Sequence, residues 1–451
     1  MSRAIRVSVI LGLVLGCAVC ACAQEYYVAP DGNDANPGTL EKPKKSPVKA
    51  AKLLKAGDTL YFRAGQYKCR TNGTYGLAPS ADGQEGKPIT FRNYKGEHVE
   101  IDCQGSDWGV TPNGYDWIVF DGLDITNRTH YGMKISAASG RRKPGGGHEY
   151  SEHVTIRNCE VHHTGMECIF VCETKYLTVE NCHLHDSAKS HGIYLQVGSD
   201  NAVLRNITSE NNRGNSGTQL NASGGGLRNA LVERCLLRGN AQGYSLMGAI
   251  NCTFRNNVVF NDGFEGPRGS GWRELIMWTY GDKKSGKAGT ICEGNVFENN
   301  TFVNLVPAGH KLSNVVRSKS GTKNTTFRNN VFVVLGKPVM RLESFEGFAF
   351  ENNCLFNIGG GEHVAGGGKL PAFCKAKGLK ESGTVDADPM FVDAANGDLR
   401  LKDGSPCIDS GAATTAETKV AGRGRDIGAY EKGAEVRIGC DLPWKKNGNS
   451  K

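Results

Sequence analysis

The sequence predicts an all-β solenoid, in which coils of short parallel strands stack into continuous sheets within one elongated domain. Three observations carry this expectation. A strand–Asn–strand motif recurs as Arg157-Asn158-Cys159, Glu180-Asn181-Cys182, Arg205-Asn206-Ile207, Arg255-Asn256-Asn257, Glu298-Asn299-Asn300, Arg328-Asn329-Asn330 and Glu351-Asn352-Asn353, with degenerate copies at Phe120-Asp121-Gly122 and Glu233-Arg234-Cys235. Successive copies are 37, 23, 25, 28, 22, 43, 30 and 23 residues apart, and periods in the low twenties mark one coil per repeat. The chain has 60 Gly among 451 residues and 8% aromatics. With no apolar helical period beyond one short segment, that composition argues against a helical protein or several globular domains.

One coil shows the physics. In Val154-Thr155-Ile156-Arg157 apolar and polar residues alternate, so one face points inward and the other meets solvent. Asn158 takes the corner, because Asn tolerates left-handed backbone angles and its amide can bond to the next coil's Asn. Cys159 and Val161 then point inward, leaving Glu160 and His162 outside. A further strand is expected in each coil, at 168–172, 192–196, 217–221, 243–247, 274–278, 313–317 and 338–342. The fixed spacing argues against a low-complexity or glycosylated Asn tract.

The ends read differently. Residues 1–23 form an export signal, with Arg3 and Arg6 ahead of an apolar stretch and Ala21-Cys22-Ala23 as the cleavage site. Val14-Leu15-Gly16-Cys17 offers lipoprotein anchoring through Cys17 as the alternative. No later stretch is apolar enough to span a bilayer. Residues 24–57 form an N-terminal segment with a short capping helix, where Ser46 is the N-cap, Pro47 opens the helix and Gly57 stops it. Coils occupy 58–358, and 359–451 form a loop-rich C-terminal cap and tail. Without the leader, 13 of the 16 Cys remain. Cys159, Cys182 and Cys235 share one inward slot, which favours a packing column over disulfides. No C-x-x-C pair supports a structural zinc site.

The opening Tyr26-Tyr27-Val28-Ala29-Pro30-Asp31-Gly32-Asn33, followed by Gly57-Asp58-Thr59-Leu60-Tyr61-Phe62-Arg63-Ala64-Gly65, resembles that of secreted right-handed parallel β-helix proteins, the family 9 pectate lyases among them. The stretches from Asp388-Pro389 and Ser405-Pro406-Cys407-Ile408-Asp409 to Asp426-Ile427-Gly428-Ala429-Tyr430-Glu431 are similar to the closing segment of the same superfamily. The resemblance implies a right-handed parallel β-helix and export. It leaves the reaction open, because lyases, hydrolases and epimerases share these ends. A local stretch, Val316-Arg317-Ser318-Lys319-Ser320 with Met340-Arg341-Leu342-Glu343, resembles the catalytic region of family 6 lyases such as chondroitinase B and alginate lyases. That likeness implies Lys319 as proton abstractor and Arg341 as its partner on the next coil. The segment at 312–315 lacks the acidic pair that holds calcium in that family.

A second candidate site comes from the residues themselves. Seven of the eleven His lie between His148 and His191. Aligned at the corner, His162, His185 and Glu210 form one outward column, with His163, Asp186 and Asn211 beside it. The following turns add Glu167, Lys189, His191 and Arg213, and the next strands add Tyr194 and Gln219. With coils about 4.8 Å apart, these residues are expected to form one polar patch. Long loops at 140–148 and 265–284 frame it, and Trp272, Arg273 and Trp278 are expected to contact substrate. His183-Leu184-His185 offers two imidazoles on one strand face for a metal, with Glu210 or Asp186 adding oxygen. No cofactor is firmly implied. Calcium stays an alternative, although the richest acidic segments lie at the C-terminus.

The chain without its leader carries a net charge of +6, with its basic residues in loops and no nucleic-acid motif. These features indicate an exported, monomeric protein that binds an extended acidic polysaccharide, with lyase cleavage by β-elimination as the reaction. Lys189 or His191 is expected as base, Arg213 as carboxylate partner, and Tyr194 or His185 as acid. The alternatives are a glycoside hydrolase using Glu167 and Glu210, or a non-catalytic carbohydrate-binding or structural solenoid.

Overall fold

The computed structural model describes residues 23–70, 74–136, 150–212, 214, 216–221, 226–261, 273–278, 291–306, 314–319, 321–414 and 420–446, with backbone only at 273, 274, 278 and 446. Among these residues, three long parallel sheets run the length of the coils. The first has thirteen strands, from Glu25–Val28 and Thr59–Phe62 to Lys380–Ser382. The second has eleven, from Gly65–Lys68 to Cys354–Ile358, and the third has ten, from Tyr75–Leu77 to Met340–Leu342. Each coil thus contributes one strand per sheet, and a short four-stranded sheet closes the remaining corner in the C-terminal coils.

The motif corners have the expected left-handed backbone, with φ between 50° and 55° at Asn158, Asn181, Asn206, Asn256, Asn299, Asn329 and Asn352 and 53° at Arg234; in the first, degenerate copy the corner falls on Gly122, at 72°, one residue beyond the expected Asp121. The residue after the corner turns inward. Cys159 and Cys182 fill this slot in the early coils, and Asn257, Asn300, Asn330 and Asn353 fill it later, all fully buried. These four Asn form a ladder. Asn257 Nδ2 donates to Asn300 Oδ1 at 2.9 Å, Asn300 to Asn330 at 2.9 Å, and Asn330 to Asn353 at 3.0 Å. Each amide also bonds backbone, so no buried donor is left without an acceptor along the column.

The residue before the corner adds a second register device. Asp121, Arg157, Glu180, Arg205, Glu233, Arg255, Glu298, Arg328 and Glu351 stand in register on successive coils with alternating charge. Arg157 reaches Asp121 at 3.0 Å, Arg255 reaches Glu233 at 2.7 Å and Arg328 reaches Glu351 at 2.6 Å. Opposite charges across parallel strands favour this pairing over a slipped one.

Most expected strands are present within one or two residues, at Ile169–Cys172, Ile193–Leu195, Ser216–Asn221, Gln242–Met247, Arg273–Trp278 and Met340–Leu342. The 313–317 strand starts later, at Val316–Ser318. The capping helix is Pro47–Ala50, continued as a 3-10 turn at Ala51–Leu53, with the Ser46 side chain accepting from the Lys49 amide. Ala50, Ala51 and Leu54 seal the N-terminal end of the core.

Helix is not confined to that segment, as the sequence had implied. A second helix, Leu370–Lys377, places Leu370, Phe373 and Cys374 on the C-terminal end of the core and stops at Gly378 in the left-handed region. Its i, i+3, i+4 apolar face is too short to register as a helical period. The thirteen cysteines from Cys69 to Cys440 are free thiols, and Cys159, Cys182 and Cys235 occupy the expected inward column.

Beyond residue 384 the chain turns back along the corner between the first two sheets. The outward amides of corner Asn residues hold it: Asn352 Nδ2 donates to Ser410 O at 2.9 Å, Asn329 to Ala412 O at 2.8 Å and Asn299 to Asp426 O at 3.0 Å. Asn181 exchanges two bonds with the Asp441 backbone, and Trp444 Nε1 donates to Asn158 O at 2.9 Å.

Replacing Asn300 by Leu removes a side chain that satisfies Phe254 O and the Asn257 amide, so the variant is expected to lose about 3 kcal/mol. Urea unfolding measures this, and a loss below about 1 kcal/mol would show that the ladder does not hold the coils.

Candidate functional site

In the three-residue strands of the second sheet, the middle residue faces the core and the outer two face away. Asp124–Thr126, Glu160–His162, His183–His185, Thr208–Glu210 and Leu236–Arg238 bury Ile125, Val161, Leu184, Ser209 and Leu237. Their register stacks Asp124, Glu160 and His183 in one outward column, and Thr126, His162, His185, Glu210 and Arg238 in the next. The expected column of His162, His185 and Glu210 is therefore present. At the following corner His163, Asp186 and Asn211 share a left-handed backbone, with φ of 49°, 55° and 54°.

Two linked networks result. Asp124 accepts from His98 Nε2 at 2.9 Å and His162 Nε2 at 2.8 Å, and His162 Nδ1 lies 2.5 Å from His163 Nδ1. Next to it, Glu160 Oε1 meets His183 Nδ1 at 3.4 Å, His185 Nε2 at 2.9 Å and Lys445 Nζ at 2.6 Å. His183 Nε2 bonds Glu210 at 2.7 Å, His185 Nδ1 bonds Asp186 at 2.7 Å, and Arg238 pairs with Glu210. The His162 and His185 rings stack at 4.9 Å and join the networks.

Electrostatics follow from these partners. Burial alone would raise the Glu160 carboxyl, but hydrogen bonds from His183, His185 and Lys445 hold it well below the carboxylate range. Burial also opposes charge on Glu210, where His183 and Arg238 prevail and bring it down to about 2. His162 is raised, since Asp124 outweighs burial, whereas burial and the neighbouring His162 lower His163. The expected outward exposure of Glu160 is not found. It is 5% exposed, because the returning tail lays Lys445 on it and Trp444 against His98.

His162 and His163 form one wall of an open groove of about 460 Å³, lined also by Gln66, Glu100, Asp102, Gln104, Thr126 and Arg128. A further hollow of about 330 Å³ shares Asp102 and Gln104 and adds Lys68 and Arg70.

The remaining expected site residues belong to the next face, beyond the corner, so the single patch resolves into two. Glu167 is buried and accepts from Ser190 Oγ at 2.7 Å, and burial raises its carboxyl. His191 is 5% exposed; its Nδ1 accepts from the Ser216 amide at 3.1 Å, and burial lowers it to about 4. Tyr194 meets Asn221 Nδ2 at 2.7 Å and packs on Phe170, while Gln219 follows it in register and Lys189 is exposed on the turn. Glu210 stands on the second sheet, whereas Glu167 precedes the third-sheet strand Ile169–Cys172.

Arg213 and Trp272 lie outside the described residues, as do the side chains of Arg273 and Trp278. Far along the third sheet, Arg341 stands in register with Arg317, and both meet Glu343; Lys319 follows the strand Val316–Ser318.

Sequence reading missed a platform on the third sheet, where Lys134 Nζ sits 3.6 Å above Trp108 and Tyr131 stacks on Phe170 at 4.9 Å. It also missed Asp124 and His98, whose coils carry only a degenerate corner or none. Counting two residues on from Gly122, as Glu160 lies two on from Asn158, would have found Asp124.

The comparisons with known proteins agree with this architecture. A family model described as a Pel9A-like, right-handed β-helix region matches residues 26–144, and one for a right-handed β-helix region matches residues 89–271. The fold is a right-handed parallel β-helix, with a Pel9A-like region over residues 26–144. The chain is 35% identical over 94 residues to pectate lyase PEL9 of Emericella nidulans, covering 21% of this chain and 22% of that protein. It is 43% identical over 75 residues to the uncharacterized protein YwoF of Bacillus subtilis, covering 17% of this chain and 15% of that protein. The crystal structure of pectate lyase Pel9A superposes over 91% of this chain and 97% of its own, with a TM-score of 0.58 and 18% identity. The two structures share the fold. No helix among the described residues is long and apolar enough to cross a membrane.

His191 is the buried base with a clear pH consequence. Its folded pKa of about 4 lies below its ordinary value of about 6.5, so the unfolded chain binds a proton that the folded chain refuses. Its contribution is complete above about pH 6.5 and falls by about 3 kcal/mol as pH drops to about 4. His191→Gln, which keeps an acceptor for Ser216, is expected to flatten this part of the stability profile. Thermal unfolding between those pH values checks it.

Proposed function

We propose that this protein is an exported lyase that cleaves a uronate-containing polysaccharide by β-elimination, with its reaction centre in the groove walled by His162 and His163. One observation carries the reading, the hydrogen-bonded chain from Asp124 through His162 to His163 beside Arg128. Asp124 accepts a hydrogen bond from His162 Nε2–H. His162 Nδ1 then accepts from His163 Nδ1, and His163 Nε2 is left with its lone pair toward solvent, the state a general base needs. When His163 takes a proton, Asp124 and His162 stabilise the positive charge, the role a buried aspartate plays behind a catalytic histidine.

The chemistry balances with these groups. His163 removes the C5 proton, the C5–H electrons form the C4–C5 double bond, and the C4–O4 bond breaks. The same imidazolium returns its proton to the leaving oxygen. Arg128 pairs with the uronate carboxylate and stabilises the enolate-like charge that builds there. Lys68 and Arg70 in the adjoining hollow continue the cationic track for an extended acidic chain. Two similar proteins carry the name pectate lyase, and pectate is a uronate polymer.

Glu100 and Asp102, two residues apart on one strand of the same groove, favour a second reading as a glycoside hydrolase. A panel of uronate polysaccharides separates the two. New ultraviolet absorbance from unsaturated ends is expected, whereas reducing ends without absorbance would move the function to hydrolysis. On the active substrate, His163→Ala is expected to lower kcat by about 10²–10⁴-fold. Arg128→Ala is expected to penalise uronate substrates above neutral ones. Full activity in His163→Ala would remove the groove as the reaction centre.

A further inference from the structure

The network next to the groove has an organisation that the proposed reaction does not use. Glu160 Oε1, His183 Nδ1 and His185 Nε2 converge on one point, with all three ligand atoms within 4.8 Å of one another. Glu160 Oε1 lies 3.4 Å from the first nitrogen and 2.9 Å from the second. Ligands about 2.0–2.1 Å from a tetrahedral zinc ion stand roughly 3.3 Å apart, so the two carboxylate-to-imidazole spacings match a coordination sphere to within about half an ångström.

The outer ring nitrogens supply the second observation. His183 Nε2 bonds Glu210 and His185 Nδ1 bonds Asp186, each at 2.7 Å, while Arg238 fixes Glu210. Histidines that ligate a metal commonly donate their other N–H to a carboxylate, which sets the tautomer and turns the free lone pair inward. Here a carboxylate holds the outer nitrogen of each imidazole, on opposite ring positions, so that both inner nitrogens point at Glu160 and become ligands once a metal replaces the protons they share with it.

A cation already stands at the convergence point. Lys445 Nζ, from the returning tail, lies 2.6 Å from the same Glu160 Oε1. Glu160 is 5% exposed beneath it, and Trp444 stacks on His98 at 5.0 Å alongside.

We propose that Glu160, His183 and His185 form a binding site for a divalent transition-metal ion of the zinc class, with Lys445 as a tethered cation that occupies the position the metal would take. Two nitrogens and one carboxylate oxygen suit zinc, and hard cations such as calcium prefer an all-oxygen set. Among the described residues this is the one group of three or more His, Cys, Asp or Glu side chains placed to hold an ion. Metal entry displaces the ammonium from Glu160, so metal binding and docking of the tail end oppose each other. The site stands independently of the lyase reading, since neither Arg128 nor His163 contributes a ligand.

The test uses the untagged protein incubated with zinc chloride, dialysed, and assayed for bound metal, with circular dichroism confirming that each variant is folded. About one equivalent of zinc is expected in the parent. His183→Ala and His185→Ala are each expected to lose it, and Lys445→Ala is expected to bind about tenfold more tightly because its competitor is gone. No retained zinc in the parent, or undiminished retention in folded His183→Ala and His185→Ala, overturns the proposal. Should either histidine variant fail to fold, Lys445→Ala decides: tighter binding supports the site, and unchanged or weaker binding overturns it.

Discussion

The structure depends on one backbone constraint, the left-handed residue that ends each strand of the first sheet. Only a residue that tolerates positive φ can turn the chain there without strain, and Asn does so while offering an amide. Once that corner is set, the following residue must point inward. The slot then selects groups that are small or can be satisfied by their own copies above and below. Cysteine meets the demand in the early coils and asparagine in the later ones. Four stacked Asn between Asn257 and Asn353 bury polar amides at little cost because each coil completes its neighbour's hydrogen bonds.

The same corner has an outward consequence. Amides not used between coils are free to bind a passing backbone, and the chain beyond residue 384 follows that row back toward the N-terminal coils. From Asn352 to Asn158 corner positions anchor it, and Thr301 and Thr208 on the second sheet add bonds to Ala429 and Cys440. The tail therefore arrives at the histidine-rich coils because the corner row leads it there. Trp444 and Lys445 convert an open sheet face into a covered one, which is why Glu160 is charged and buried at once.

Beyond the next corner the environment changes sign. On the second sheet carboxylates face imidazoles and raise the pKa of His162 and His183, while His163 at the corner is lowered. On the third sheet His191 and Lys134 are surrounded by apolar and aromatic groups, and burial disfavours their charge. Two faces separated by one turn thus carry opposite protonation behaviour. Pooling their residues into one site, as the flat alignment of coils invites, mixes groups that work in different surroundings.

What the sequence alone determined is what repeats, namely the coil length, the corner, the inward Cys slot and the column of His162, His185 and Glu210, together with the locally coded capping helix. These depend on neighbours a few residues away or one coil away, so periodicity reports them directly. The expectations that shifted depended on contacts the period does not encode. Glu160 was placed in solvent because its cover comes from Lys445, 285 residues later. His191 was read as a base within a polar patch, but it is buried. Asp124 escaped notice because its corner is Gly122 rather than Asn. Strand alternation decides which way a side chain points, but only the closed solenoid and its returning tail decide whether water reaches it.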